Sequence, residues 1–166
     1  LTINSGEIVG LVGTNGSGKT TLFNCISKVF EPKSGEIIFL GDDLAGARRD
    51  DASRLGIGRT FQIPRPFSDL TVAENIAMPL MYRGQESATL SDALGLATRF
   101  AAYVGLTDHL SARADSLNLQ QKKALELARA LACKPKLLLV DEVASGLTPV
   151  EIRRFVDHIR ELRDEY

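Results

Sequence analysis

Apolar positions along the chain fall into short continuous runs separated by stretches with helical spacing. Glu7-Ile8-Val9-Gly10-Leu11-Val12 is nearly continuous and leads into a Gly-rich turn. Such a run predicts a strand buried on both faces of a parallel sheet. Between Lys19 and Phe30, the residues Leu22, Phe23, Ile26, Val29 and Phe30 form one helical face. Pro32 and Gly35 end that helix. Glu36-Ile37-Ile38-Phe39-Leu40 predicts a second strand, closed by a turn at Gly41-Asp42-Asp43. A short helix is expected over Asp50 to Leu55, a strand over Gly56 to Phe61, and a loop at Ile63-Pro64-Arg65-Pro66.

The pattern changes at Thr71, where the chain turns Ala- and Leu-rich. Thr71-Val72-Ala73-Glu74 has the spacing of a capping box. Residues 71–115 are read as a helical subdomain inserted into an α/β core made of residues 1–70 and 116–166. A helix follows over Lys122 to Ala132, with Leu125, Ala128 and Leu131 facing inward and Lys134-Pro135 as its stop. Leu137-Leu138-Leu139-Val140 predicts a buried strand ending in two acids, Asp141 and Glu142. Pro149 to Arg163 predicts a last amphipathic helix. Strands alternating with helices argue for an α/β fold, a parallel sheet with helices on both faces.

Composition narrows the function. The chain has 166 residues, 44 % apolar and 25 % charged, with a formal net charge of -1. That balance offers no field to gather nucleic acid, so none is expected as a partner. Cys25 and Cys133 form no CxxC pair and read as two reduced thiols. No run approaches the roughly 20 apolar residues that span a bilayer. The first residues lack the basic start and apolar stretch of a signal peptide. A cytoplasmic protein is expected, with any membrane role passing through a partner. Arg48, Arg49 and Arg54, like Arg153, Arg154 and Arg160, are interspersed with acids and read as solvated helix faces. His109 and His158 have no acid or cysteine pattern around them.

The chemistry begins at Gly13-Thr14-Asn15-Gly16-Ser17-Gly18-Lys19-Thr20, a full match to G-x-x-x-x-G-K-[ST] between a predicted strand and a predicted helix. At average glycine usage a chance match would arise about once in 100 chains of this length. Glycines let the backbone turn until its N–H groups converge on phosphate oxygens. The helix adds the positive end of its dipole. Lys19 supplies a point charge for the β- and γ-phosphates. The Thr20 hydroxyl suits Mg²⁺, which takes few protein ligands. Thr21, next in the same first turn, completes the nucleotide-binding set. The cofactors expected are ATP and Mg²⁺.

Asp141 and Glu142 stand at the carboxyl end of a predicted buried strand, where ligands bind in open α/β sheets. Acids also follow strands merely because the chain is returning to water. Beside a phosphate cradle the functional reading prevails: Asp141 on the metal side, Glu142 as the general base for the attacking water.

With these motifs in order, the sequence resembles the nucleotide-binding subunit of an ATP-binding cassette (ABC) transporter over essentially its whole length. Arg59-Thr60-Phe61-Gln62, followed by Leu70-Thr71-Val72-Ala73-Glu74-Asn75, is similar to the family's Q-loop region. Leu137 to Glu142 matches Walker B, and Ser145-Gly146-Leu147-Thr148-Pro149 is similar to the D-loop. The wording is nearest to the branched-chain amino acid transporter branch, through Arg59-Thr60-Phe61-Gln62 with Pro66-Phe67, Leu125-Glu126-Leu127-Ala128-Arg129-Ala130-Leu131 and Asp141-Glu142-Val143. The resemblance implies two ATPase subunits sandwiching two ATP molecules, each held between Walker A of one and the signature motif of the other. It implies membrane permease subunits as further partners, and a peripheral position on the inner face of the membrane. Gln62 would sense Mg²⁺ and the attacking water, and the helical subdomain would face the permease.

The signature motif is normally LSGGQ, and its positions here hold Leu117-Asn118-Leu119-Gln120-Gln121. Gln120 stands where the family usually keeps its second glycine. Either its side chain weakens hydrolysis or it turns outward and spares the backbone contact. The family's adenine-stacking aromatic would precede Leu1 and its switch histidine would follow Tyr166, so a fragment of the cassette is expected. Other functions weighed on the same motifs are a hydrolysis-impaired regulatory subunit, a soluble non-transport ABC ATPase and a P-loop kinase. The last would leave Leu117 to Arg129 and the D-loop unexplained.

Overall fold

The computed structural model describes residues 1–61, 63–82, 89–141, 153, 157, 160 and 161. Helix α1 spans Lys19–Ile26. A hairpin of β1 (Ile38–Phe39) and β2 (Asp42–Asp43) follows, then α2 (Arg49–Leu55) and β3 (Ile57–Arg59). Next come α3 (Val72–Tyr82), α4 (Leu90–Tyr103), two 3₁₀ turns (Thr107–His109 and Ala114–Ser116), α5 (Leu119–Ala132) and β4 (Leu137–Leu139). Among the described residues, no helix is long and apolar enough to cross a membrane.

Strands β3 and β4 pair in parallel, with Ile57 opposite Leu137, Gly58 opposite Leu138 and Arg59 opposite Leu139. The pairing is tight at Gly58, where an added Cβ would come within 2.9 Å of the Pro135 ring. Two cores flank the pair. One gathers Val72, Ile76, Phe100, Leu106, Leu125 and Leu131 between α3, α4 and α5. The other joins Leu44, Ala52, Ile57 and Leu139. Side-chain caps order the helix starts, as at α3 and α4. Thr71 and Glu74 exchange bonds ahead of α3, Glu74 accepting the Thr71 N–H at 2.7 Å. Thr89 and Asp92 do the same for α4.

Two expectations are corrected. Glu7 to Val12 belongs to no strand. Ile8, Val9, Leu11 and Val12 are 58, 46, 39 and 94 % exposed, and neither core includes them. Apolar content favours burial but cannot make a strand without a ladder partner, and among the described residues this run has none. The hairpin turn also lies one residue early. Leu40 (φ 55°) and Gly41 (φ 94°) are its central residues, both left-handed as a type I′ turn requires, and Asp42-Asp43 is already strand. The last predicted helix, Pro149 to Arg163, lies largely outside the described residues.

Candidate functional site: a phosphate cradle joined to a strand-end carboxylate

The loop before α1 turns on glycines. Gly16 (φ 82°) and Gly18 (φ 93°) occupy the left-handed region that side chains avoid. Between them Ser17 N–H closes back onto the Thr14 carbonyl at 3.2 Å. Gly18 is the N-cap of α1 and provides no side-chain cap, so no side chain covers the helix's positive end there. Lys19 folds back over the loop. Its Nζ donates to the Gly13 carbonyl at 2.7 Å and the Thr14 carbonyl at 2.8 Å, and lies 3.5 Å from Ser17 Oγ. A cavity of about 270 Å³ opens beside it, lined by Leu11, Val12, Ser17, Gly18, Lys19 and Leu22. Asn15, Thr20 and Thr21 are exposed at the same end.

The second half of the site is built at the end of the β3–β4 pair. Thr60 N–H donates to the Leu139 carbonyl at 3.0 Å, and Thr60 Oγ1 accepts the Asp141 N–H at 3.1 Å. These bonds extend the parallel register one step and fix Asp141 at the carboxyl end of β4. Its Oδ2 is buried without a hydrogen-bond partner. A strand-end carboxylate oxygen with no hydrogen bond, facing a guanidinium at 3.6 Å, keeps acceptor capacity for the waters of a hard cation, so the residues fit Mg²⁺.

The two halves meet in Arg59, which sequence reasoning placed only in the Q-loop wording. Its Nη1 donates to Asn24 Oδ1 at 2.6 Å and to Ser27 Oγ at 2.9 Å, both on the cradle helix or its cap. Its Nη2 stands 3.6 Å from Asp141 Oδ2. Phe23 and Phe61 present their rings to the guanidinium, with centroids at 5.9 and 5.3 Å. Burial pulls the guanidinium below its usual pKa, while the Asp141 charge pulls it back up. No local motif announces such a contact, because Arg59 and Asn24 are 35 residues apart.

Gln62, Glu142 and the D-loop segment 145–149 lie outside the described residues. The segment after Gln62 is held to α5. Arg65 N–H donates to Glu126 Oε1 at 3.0 Å, and Arg129 pairs with that carboxylate at 2.7 Å. Arg129 also donates to the Arg65 carbonyl at 3.2 Å and stacks 4.9 Å above Phe67. Fully buried Asn75 accepts the Phe67 N–H at 2.9 Å and returns a bond to the Phe67 carbonyl at 3.0 Å. A groove of about 380 Å³ runs beside this network, with Arg49, Phe61, Phe67, Met78, Tyr82 and Arg129 among its walls.

At the signature positions, Leu117 is buried and Asn118 is the N-cap of α5. Leu119, Gln120 and Gln121 form that helix's first turn, with Leu119 and Gln120 exposed. Gln120 takes no positive φ, so its backbone conformation does not require a glycine.

A glycine-wound loop feeding a helix N-terminus, a lysine arched over it, and an acid at a parallel strand's carboxyl end define a P-loop nucleotide-binding protein. The chain belongs to the ABC transporter family, as an ATP-binding cassette ATPase: the family's model, described as "ABC transporter", matches residues 1–145. The chain is 35 % identical over 172 residues to the high-affinity branched-chain amino acid transport ATP-binding protein LivG of Escherichia coli K12, covering 96 % of this chain and 68 % of that protein. It is 37 % identical over 167 residues to the methionine import ATP-binding protein MetN 2 of Pseudomonas aeruginosa, covering 99 % of this chain and 49 % of that one. Among solved structures, the dimeric cassette MJ0796 bound to ADP and Pi superposes with a TM-score of 0.91 at 25 % identity, covering 99 % of this chain and 73 % of that one. The expected α/β cassette fold is thereby borne out.

Proposed function

We propose that this chain is the ATP-hydrolysing subunit of an importer of the branched-chain amino acid type, working as a dimer on a membrane permease. The observation that carries the reading is Arg59, bonded at once to the cradle helix and to the strand-end acid. It makes one rigid unit of the groups that must act on one phosphate.

Gly13 to Thr21 bind the phosphates through backbone N–H groups and the α1 dipole. Lys19 leaves the carbonyls of Gly13 and Thr14 to meet the β- and γ-phosphates. Thr20, Asp141 and Gln62 hold Mg²⁺, which when bound offsets charge on the phosphate oxygens. Glu142 takes the proton of a water whose oxygen attacks the γ-phosphorus, while the bond to the bridging oxygen breaks and ADP leaves. Leu117 to Gln121 act on the partner subunit's ATP, with the N-terminus of α5 turned to its γ-phosphate. The helical subdomain of residues 71–115 faces the permease, and the groove beside Phe61 and Phe67 receives it. The protein then sits on the cytoplasmic face of the membrane. Likeness to LivG supports the branched-chain assignment, and likeness to MetN 2 makes methionine the competing solute.

Gln120 at the signature's second glycine place favours one other reading, a subunit that binds ATP and hydrolyses it poorly. Reconstitution of the full-length protein with its permease in liposomes separates the solutes. Turnover stimulated by a leucine-, isoleucine- or valine-loaded binding protein is expected; stimulation by methionine alone would reject the branch.

A further inference from the structure

The signature segment is held by a histidine that the phosphate chemistry leaves unused. Gln121 Oε1 accepts the Asn118 N–H at 3.0 Å, and the Gln121 N–H donates to Asn118 Oδ1 at 2.9 Å. This reciprocal cap fixes which way the Gln121 amide points, because only its oxygen can face the Asn118 N–H. Its nitrogen then stands 2.9 Å from His109 Nε2. A primary amide nitrogen only donates, so His109 Nε2 must accept and the ring proton must sit on Nδ1.

We propose that His109 is a positioning residue for the signature segment, its neutral imidazole holding the Gln121 amide in the orientation that caps α5. The inference rests on the reading of Leu117 to Gln121 as a signature acting on a partner's ATP. A protonated imidazole donates from both nitrogens, so donor would face donor. If the amide turned over, its NH₂ would oppose the Asn118 N–H and the Gln121 half of the reciprocal cap would be lost. If the ring withdrew, the amide would lose its second anchor. Protonation therefore loosens the first turn of α5.

The charged groups on the surrounding elements are mostly engaged elsewhere. Glu74 on α3 is bonded to Thr71, and Arg99 on α4 donates to the Tyr103 hydroxyl at 3.1 Å. Lys122 on α5 donates to the Asp115 carbonyl at 3.1 Å, and Asp115 itself pairs with Arg113. Asp108 is the ring's neighbour in its own turn, and Lys123 follows Lys122 on α5.

The test uses the full-length protein. Long-range ¹H–¹⁵N NMR of His109 at pH 8 is expected to show the Nδ1–H tautomer, and acidification is expected to move the Gln121 side-chain amide together with the ring. An Nε2–H tautomer, or an amide indifferent to the ring, overturns the proposal. His109→Gln offers an acceptor that does not titrate. The ratio of its ATP turnover to wild type is expected to rise as the solution is made more acidic, and a flat ratio overturns the proposal. Absent turnover in both proteins, with ring and amide still coupled, counts against hydrolysis and leaves the positioning role standing.

Discussion

Arg59 and Asp141 face each other at 3.6 Å across the end of the parallel β3–β4 pair, both nearly out of solvent. The same guanidinium reaches Asn24 and Ser27, so the strand-end acid and the phosphate helix share one buried cation. Replacing it with a neutral side chain strands a buried carboxylate, which typically costs about 3–5 kcal/mol. Arg59→Met is therefore expected to lower stability by about 3 kcal/mol in urea denaturation. Asn24→Ala, which removes one bond and leaves the pair, is expected to cost about 1 kcal/mol.

Lys19 spends its charge on two carbonyls of its own loop. These bonds stand in solvent and contribute little to the fold. Lys19→Met is expected to shift the unfolding midpoint by less than about 1 kcal/mol while weakening binding of a fluorescent ATP analogue more than about ten-fold. Comparable losses of fold and binding would mean that the lysine is a structural clasp.

Glu126 satisfies the Arg65 N–H and the Arg129 guanidinium together, and is itself buried. Glu126→Ala takes the acceptor from the Arg65 N–H and leaves the Arg129 guanidinium with the Arg65 carbonyl but no carboxylate, an expected loss of about 2–3 kcal/mol. It also frees the Arg65 segment, so limited trypsin digestion is expected to cut there before the rest of the fold. A double-mutant cycle with Arg129→Ala should be strongly non-additive, because the two side chains share one network.

What could be read along the chain was chemistry packed into a few consecutive residues. Gly13 to Thr20 carry their own geometry in their glycines, and Thr71 to Glu74 carry a cap that the structure shows bond for bond. Thr89-Leu90-Ser91-Asp92 and Asn118-Leu119-Gln120-Gln121 close similar boxes that sequence reasoning passed over, although their ends are the right residue types. The Asn118 box was hidden by being read as a signature. The strand expected at Glu7 to Val12 failed because a ladder depends on partners elsewhere in the chain. Arg59 was missed because its contacts with Asn24 and Asp141 join segments that only the fold brings together.

Carboxylates at helix starts contribute stability that acid removes. The Thr71 N–H and hydroxyl hold Glu74 below its ordinary 4.5, and the Thr89 hydroxyl and N–H hold Asp92 below its ordinary 3.8. The backbone and side chain of Arg48 hold Asp51 below 3.8 in the same way. A pKa lowered by folding stabilises the protein fully above the unfolded-state value and is lost as pH falls through the folded one. The melting temperature is therefore expected to decline below about pH 4.5 through these groups. Glu74→Gln with Asp92→Asn keeps acceptors in place without the titration, and should flatten part of that decline.

The most direct test of an ATP-hydrolysing cassette with shared sites is the ATPase rate of the full-length protein against its own concentration, for wild type and Glu142→Gln. A wild-type rate that climbs faster than linearly with concentration, and is lost in Glu142→Gln, is the expected result: two subunits build each site, Glu142 is the base, and Gln120 is tolerated. A wild-type rate no higher than that of Glu142→Gln, with ATP still bound, would contradict it and leave a nucleotide-binding subunit without turnover.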